Sequence, residues 1–447
     1  MGSSRLGKTE LTVGLPGQPA TFAADCLHWL GSEPCPLQRA ADRPNCAGCR
    51  TYHPTAALPV RRAARPYHPQ VLRTAGRIGL LEMGGLGSHL RATAITRALR
   101  QVNPAAEVHW FTHASGAELL RHVPGVLPVD LAAGTGPSLA RSLDVLLNFE
   151  ISPLAAELCA ASRCVGGFSR SPQGRLVAAS GHAHRLQRLQ IDDAFRGSFT
   201  GTMQEVLLEA VGLVGPPDYD IALAPSVLAG GRQLIADAFD GTAPSTVVGL
   251  NVGSSGQGRL KRWPAASWGA LASLLARRHG VVILSGPADG DMRTEVAAGI
   301  RSRRCAVNGR VRFVGDVGIG EYLAVVSQLQ AVVTADTFGL HAARAQRVPV
   351  VALVGPMPAG ELELSAADRL VGPTLTCAPC YHRCRQPVTG ACMRLITPGQ
   401  VAGKVAEVLG GGVRCRGATR AGVGGRGRVV PGGSGSAGGG RGGSGRG

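Results

Sequence analysis

No stretch of this 447-residue chain approaches the roughly 20 consecutive apolar residues that a membrane-spanning helix needs. A helical integral membrane protein is therefore excluded from the reading. The first ten residues, Met1-Gly2-Ser3-Ser4-Arg5-Leu6-Gly7-Lys8-Thr9-Glu10, lack an apolar core and are interrupted by charge, so no secretion signal is expected. Leu6 stands where a myristoylation pattern wants Ser or Thr. The expected location is cytoplasmic, where the 12 cysteines are thiols or metal ligands more often than disulfides. Aromatics are scarce at 4%. Residues 411–447 lack acid altogether and carry seven Arg, which leaves about +11 of the +18 formal charge for the rest. A basic body suits an anionic substrate, an acidic membrane surface or nucleic acid, and charge alone does not choose among them.

The length exceeds what one hydrophobic core usually supports, so two folded domains are expected. Residues 1–25 read as irregular. A Cys-bearing segment (Cys26 to Cys49) and a Pro/Arg-rich linker (Arg50 to Arg73) complete an extension over 1–75. From Arg77–Met83 onward strands and helices alternate: strands at Glu107–Phe111, Gly125–Val129 and Asp144–Asn148, helices at Ser88–Arg100, Gly116–Arg121 and Pro153–Ala161. Such alternation predicts a parallel sheet with helices on both faces, here over 76–230. The rhythm weakens over Gly215–Ser245, the expected interdomain link. It resumes over 245–410, with strands at Thr246–Asn251, Gly280–Ser285, Arg312–Val314, Ala331–Thr334 and Val348–Val354. Helices there are expected at Ala265–Arg278, Asp291–Arg301, Ile319–Leu329, Leu340–Gln346 and Pro398–Leu409. The Gly/Arg-rich tail, 411–447, cannot bury enough apolar surface to offset its ordering entropy and reads as disordered. An RGG-like tail can bind RNA, but without interleaved aromatics a dispensable extension is the favoured reading and nucleic acid is not the expected partner.

Two strand–Gly–helix edges carry the chemistry. In the second half, Val332-Val333-Thr334-Ala335 leads into Asp336-Thr337-Phe338-Gly339-Leu340-His341, placing backbone N–H groups and a helix start at the mouth of a sheet, where an anion binds well. Thr337 and the amides from Phe338 to Leu340 are candidate phosphate donors. Asp336 suits a cap or a sugar hydroxyl, and His341 either faces the site or packs. Gly253 and Ser254, followed by Lys261 and Arg262, form a small-residue loop with a cationic pair, a candidate diphosphate cradle; a solvated turn is the plainer reading. In the first half, Gly84-Gly85-Leu86-Gly87-Ser88-His89 follows Ile78-Gly79-Leu80-Leu81-Glu82-Met83. Two such edges suggest two sheets facing a shared cleft.

The ordered set of motifs resembles glycosyltransferase family 9, the heptosyltransferase-like enzymes of lipopolysaccharide assembly, over roughly residues 75–410. The set runs from the Gly85-Leu86-Gly87 loop and Thr96-Arg97-Ala98-Leu99-Arg100 through Asn103-Pro104 and Val108-His109-Trp110-Phe111. It continues through Lys261-Arg262-Trp263-Pro264, Asp336-Thr337 with His341, Pro349 to Pro356, and Cys377-Ala378-Pro379-Cys380 with Cys384 and Cys392-Met393. The resemblance implies an α/β GT-B architecture, two Rossmann-like domains facing a central cleft, with the donor mainly on the second. It implies inverting, metal-independent transfer from a nucleoside-diphosphate sugar, ADP-heptose being one candidate, to a lipopolysaccharide-like or lipid-linked glycan. Peripheral inner-membrane contact would suit such an acceptor. Lys261, Thr337 and helix N-termini would stabilise the leaving diphosphate.

Family members commonly carry an Asp after the Gly-x-Gly, taken as the general base, and this chain has Ser88 there. The candidate bases are then His89, whose intrinsic pKa suits the task, and Glu82, with Ser88 itself a poor base or a helix cap. Gly85, Gly87 and Arg91 are expected to line the acceptor side, where Arg91 and His89 could instead grip an anionic acceptor. The missing Asp keeps open a second reading, a catalytically inactive protein that binds a sugar nucleotide or glycan. The cysteines form two quartets: Cys26, Cys35, Cys46 and Cys49, then Cys377, Cys380, Cys384 and Cys392. All-thiolate sites at such spacing suit structural zinc, with an iron–sulfur cluster or free thiols as alternatives. Cys159, Cys164, Cys305 and Cys415 read as buried or incidental.

Overall fold

A computed structural model describes residues 10–15, 18–23, 65–170, 176–191, 193–254, 256–302, 309–381, 384 and 386–410. Cys26, Cys35, Cys46, Cys49, Cys305, Cys415 and the tail lie outside the described residues. Contacts divide the chain into Met1–Gly411 and Gly412–Gly447. Within the first unit, β1 (Glu10–Leu15) pairs antiparallel with β2 (Gln18–Ala23), where irregular chain is expected from sequence. The β-branched and aromatic residues of the two strands favour extended backbone.

Two six-stranded sheets follow. The first contains β3 (Arg77–Leu81), β4 (Glu107–Thr112), β5 (Val126–Asp130), β6 (Val145–Asn148), β7 (Val165–Arg170) and β8 (Leu176–Ala178), in the order β5-β4-β3-β6-β7-β8. All neighbours are parallel except β7 and β8. The second contains β9 (Val247–Asn251), β10 (Gly280–Leu284), β11 (Val311–Phe313), β12 (Ala331–Ala335), β13 (Val350–Leu353) and β14 (Arg369–Val371), in the order β11-β10-β9-β12-β13-β14. Every pair in it is parallel. β9, β10, β12 and β13 are buried along their whole length. Strands covered on both faces read as continuous apolar runs, which is why Val-Val-Gly-Leu and Ala-Val-Val-Thr show no alternation.

In both sheets the winding reverses beside the first strand, between β3 and β6 and between β9 and β12. Side chains just beyond the carboxyl ends of such strands face a crevice that helices do not cover. The loops after β3, β9 and β12 are the three that carry the sequence motifs. Fold topology therefore brings them to crevice mouths without any special local signal.

Gly215–Ser245, expected as a link, contains the helix Pro225–Ala238, opened by Pro at its first turn. This helix packs on Ile319–Val326 and so belongs with the second sheet. The lobes meet through α1 (Leu86–Val102), which packs against α2 (Phe338–Ala345). Leu90 and Leu119 of the first lobe share one buried cluster with Leu323, Val332 and Leu340 of the second. No helix among the described residues is long and apolar enough to cross a membrane.

Candidate functional site

A cavity of about 660 Å³ opens between the lobes. From the first lobe it is lined by Gly84, Gly85, Leu86, Gly87, Ser88, Arg91 and Arg196. From the second it is lined by Asn251, Gly253, Ser254, Lys261, Asp289, Tyr322, Asp336, Thr337, Phe338, Gly339, His341 and Glu361, among others. Most of the sequence-predicted donor and acceptor residues thus share one space.

Its floor is polar and organised around the end of β9. Asn251 is the register partner of Thr334, and its Nδ2 donates to Thr334 Oγ1 and Thr337 Oγ1, both at 3.0 Å. Tyr322 donates its hydroxyl to Asn251 Oδ1 at 3.0 Å. A buried amide with every arm engaged fixes the strand end and the cap of α2 relative to each other. Thr337 is that cap and makes no side-chain bond to its own helix. The amides of Phe338 and Gly339 have no backbone acceptor among the described residues. Leu340, expected as a third donor, does not serve: its amide is bonded to Thr337 O at 3.0 Å and its side chain is fully buried between the lobes.

Lys261 reaches across the floor. Its Nζ donates to Asp336 Oδ2 at 2.7 Å and to Asp336 O at 3.1 Å. Burial would raise the Asp336 carboxyl, but Lys261, Arg91 and His341 outweigh it and hold the group at about 2. The carboxylate is ionised at neutral pH. His341 Nδ1 lies 3.0 Å from the Tyr219 hydroxyl and 3.5 Å from Glu363 Oε2, with Nε2 4.0 Å from Asp336 Oδ1. Burial, then Arg91, pushes His341 below the usual imidazole range, so it is neutral at pH 7. A Cβ on Gly87 would lie 2.7 Å from His341 Cδ2, so the acceptor loop and the His341 ring approach as closely as they do only because residue 87 has no side chain.

Two arginines of the first lobe pair with carboxylates of the second. Arg91 Nε donates to Glu363 Oε2 at 3.2 Å, and Arg196 pairs with Glu361, Nη2 to Oε2 at 2.9 Å. Arg91 is buried. Its desolvation cost is offset by Glu363 and Asp336, and the guanidinium is held even more firmly protonated than usual. Glu363, lifted by burial but held down by Arg91 and His341, titrates at about 2.

The remaining candidates, Ser88 apart, fall elsewhere. His89 does not face the cavity. It is 1% exposed, its Nε2 is 2.5 Å from Thr112 Oγ1, its Nδ1 is 3.2 Å from Gly85 O, and its ring stacks on Trp110. Burial lowers its pKa, so it is a neutral core histidine, neither an exposed base nor a grip for an anion. Arg262 is turned behind the donor loop, its Nε bonded to Ser254 Oγ at 2.9 Å and its Nη2 to Ser254 O at 3.0 Å. Ser88 lines the cavity but is not a cap: α1 starts at Leu86 on Gly85. Glu82 sits behind the loop, accepting from Gly84 N at 2.8 Å. Burial, then the neighbouring Glu150 to which it is hydrogen-bonded, raises its pKa well above the ordinary range. Glu150 in turn accepts from Met83 N at 2.6 Å.

In the late cysteine segment, Cys384 Sγ accepts from Gly390 N and Cys377 Sγ from Gln386 Nε2, while Cys392 is buried beside Met393. Among the described residues no three His, Cys, Asp or Glu side chains converge as a metal shell would. Cys159 and Cys164 are buried, as expected.

Comparison with known proteins follows this geometry. The model of glycosyltransferase family 9 (heptosyltransferase) matches residues 214–387, which include the donor loops and most of the cavity wall. Over residues 214–387 the chain is similar to glycosyltransferase family 9. The fold is similar to that of the ADP-heptose lipopolysaccharide heptosyltransferase II of E. coli, with a TM-score of 0.56 at 17% identity over 74% of this chain and 98% of that one. A family 9 glycosyltransferase of Veillonella parvula DSM 2008 gives a TM-score of 0.55 at 17% identity, over 75% of this chain and 98% of that one. No curated protein sequence matches. At such identity the likeness carries the architecture, and the two facing lobes are the GT-B arrangement of family 9.

The family reading leaves several site residues that sequence inspection does not find. Asn251 could have been noticed as the one polar residue closing an apolar strand. Tyr219, Glu363, Glu361, Arg196 and Asp289 carry no local pattern. Asp289 accepts from Ser254 N and Gly286 N, both at 3.1 Å, and so ties the two loops on the far side of the cavity.

Proposed function

We propose that the chain transfers a sugar, heptose being the leading candidate, from a nucleoside-diphosphate donor to a glycan hydroxyl, with inversion at the anomeric carbon. The observation that carries this reading is the facing of Lys261, Thr337 and the open amides of Phe338 and Gly339 towards the loop Gly84–Ser88 across one cavity. A diphosphate entering there meets an ammonium, a hydroxyl and a helix start, the groups that stabilise charge developing on a leaving phosphate. It also displaces Lys261 in part from Asp336, freeing a carboxylate oxygen for a sugar or ribose hydroxyl.

Proton removal from the acceptor falls to Glu82 and Glu150, with Ser88 between them and the cavity. A Cβ on Gly84 would lie 2.7 Å from Glu82 Oε1 and 3.2 Å from Ser88 Oγ, so residue 84 leaves open the short path between hydroxyl and carboxyl. Burial and the neighbouring Glu150 raise the proton affinity of the Glu82 carboxylate, which is what a base needs. A glycan or lipid-linked glycan acceptor, peripheral membrane contact and a cytoplasmic location belong to the same proposal. The cysteines take no step in transfer. Their proposed part is structural, a zinc-held loop, tested by metal analysis of the purified chain.

The test is release of nucleoside diphosphate from a panel of donors, with and without acceptor glycans and with chelator present. Acceptor-dependent release that survives chelation supports the proposal. The absence of a carboxylate at Ser88 favours one other reading, a sugar-nucleotide-binding protein without turnover. Donor binding with no release under any acceptor would select it.

A further inference from the structure

A second cavity, of about 430 Å³, lies on the outer side of the donor loop and shares no lining residue with the first. Its wall carries Arg259, Arg262 and Arg394 against a single acid, Glu295. No described carboxylate pairs with Arg259 or Arg394, and both are exposed. Arg262 reaches the same space while holding Ser254 from behind. Trp263, 1% exposed and anchored by its Nε1 to Ile396 O at 2.9 Å, gives the cavity a rigid side. The helix Ala265–Leu275 begins at its edge with no side-chain cap, its first residues Ala265 and Ala266 facing the cavity.

Arg262 lies 3.8 Å from Asp289, which leaves Arg259 and Arg394 as the guanidiniums of this wall without a described carboxylate partner, and an anion entering the concave space would neutralise both. Guanidinium pairs and uncapped helix amides both favour tetrahedral oxyanions. We propose that this rear cavity is a second anion site, specific for a phosphate-bearing ligand and separate from the transfer site. It goes beyond the transferase reading and does not rest on it. The phosphate could come from a soluble phosphate or from a lipid headgroup, and the shared chemistry is the same.

The test is a titration of inorganic phosphate, against sodium chloride of matched ionic strength, followed by calorimetry in a Lys261→Ala background that weakens the front cavity. Phosphate should bind there. Adding Arg259→Ala and Arg394→Ala should weaken it about tenfold or more, the worth of losing charge-assisted bonds. The Arg259→Lys and Arg394→Lys pair should keep part of the binding, and circular dichroism checks that each variant is folded. Co-sedimentation with phosphatidylglycerol–phosphatidylcholine vesicles separates the sources. Vesicle binding lost in the alanine pair identifies a headgroup, and phosphate binding without vesicle binding identifies a soluble ligand. Phosphate that binds no better than chloride, or an alanine pair that binds it unchanged, overturns the proposal.

Discussion

Replacing Arg91 by Met removes the cation that joins the lobes at their most buried point. Arg91 and Glu363 are 15% and 5% exposed, and their contact is 3.2 Å. Glu363 titrates at about 2 against an ordinary 4.5. At roughly 1.4 kcal/mol per unit, that depression is worth about 3 kcal/mol in favour of the ionised, paired state, and the Arg91 charge is the largest single attraction behind it. Without it, Glu363 keeps the Tyr219 hydroxyl at 3.3 Å on Oε2, while Oε1 is buried with no partner. Arg91→Met should therefore lower unfolding free energy at pH 7 by about 3 kcal/mol, read by urea denaturation. Glu363→Gln in the same background should restore much of the loss, because the stranded charge goes with it. Added salt should leave the effect in place, since a buried pair is poorly screened. A loss below about 1 kcal/mol, or strictly additive effects in the double variant, would refute the assignment.

Acid should loosen the same region. Asp336 and Glu363 both titrate at about 2, below their unfolded values of 3.8 and 4.5, so their stabilisation is complete above those values and disappears as pH falls towards 2. Glu82 has the opposite sign: its raised pKa costs stability as pH climbs past 4.5, and Glu82→Gln should be more stable than wild type at neutral pH, as thermal melts across pH would show. If Glu82 and Glu150 are the base, turnover in Glu82→Gln should drop by about 100-fold or more with KM little changed, and a drop under threefold would return the question to another group. His89→Ala should lower melting temperature while sparing kcat, because it breaks the Thr112 contact and not the cavity wall. Gly87→Ala should drive a methyl group against His341 and cost about 1–3 kcal/mol in the same denaturation assay.

The two-lobed fold was legible because fully buried parallel strands are short apolar runs closed by Gly or a polar residue, and β9, β10, β12 and β13 are such runs. The helix Pro225–Ala238 was hidden by its own Gly230-Gly231 pair and by the proline-rich flank before it, which read as loop. Thr337 and the Gly84–Ser88 loop are legible because each follows a strand end directly, and Lys261 because it closes the small-residue loop after β9. Helical phase is what takes His89 away from the cavity. Ser88 and Arg91, three residues apart on α1, face the cavity, and residue 89, about 100° further round, turns into the lobe. Arg262 repeats the lesson beside Lys261, since adjacent side chains in a tight turn point to opposite sides. Glu363, Tyr219 and Arg196 were invisible because their partnerships span more than a hundred residues and arise only when the lobes dock.

Calorimetric titration of nucleoside diphosphates, ADP and UDP first, into wild type and the Lys261→Ala variant tests the central claim most directly. The account predicts saturable binding of at least one of them to wild type and affinity weaker by about tenfold or more in the variant, the worth of one charge-assisted contact. Equal affinity in both proteins would contradict it, as would a wild-type chain that binds neither nucleotide.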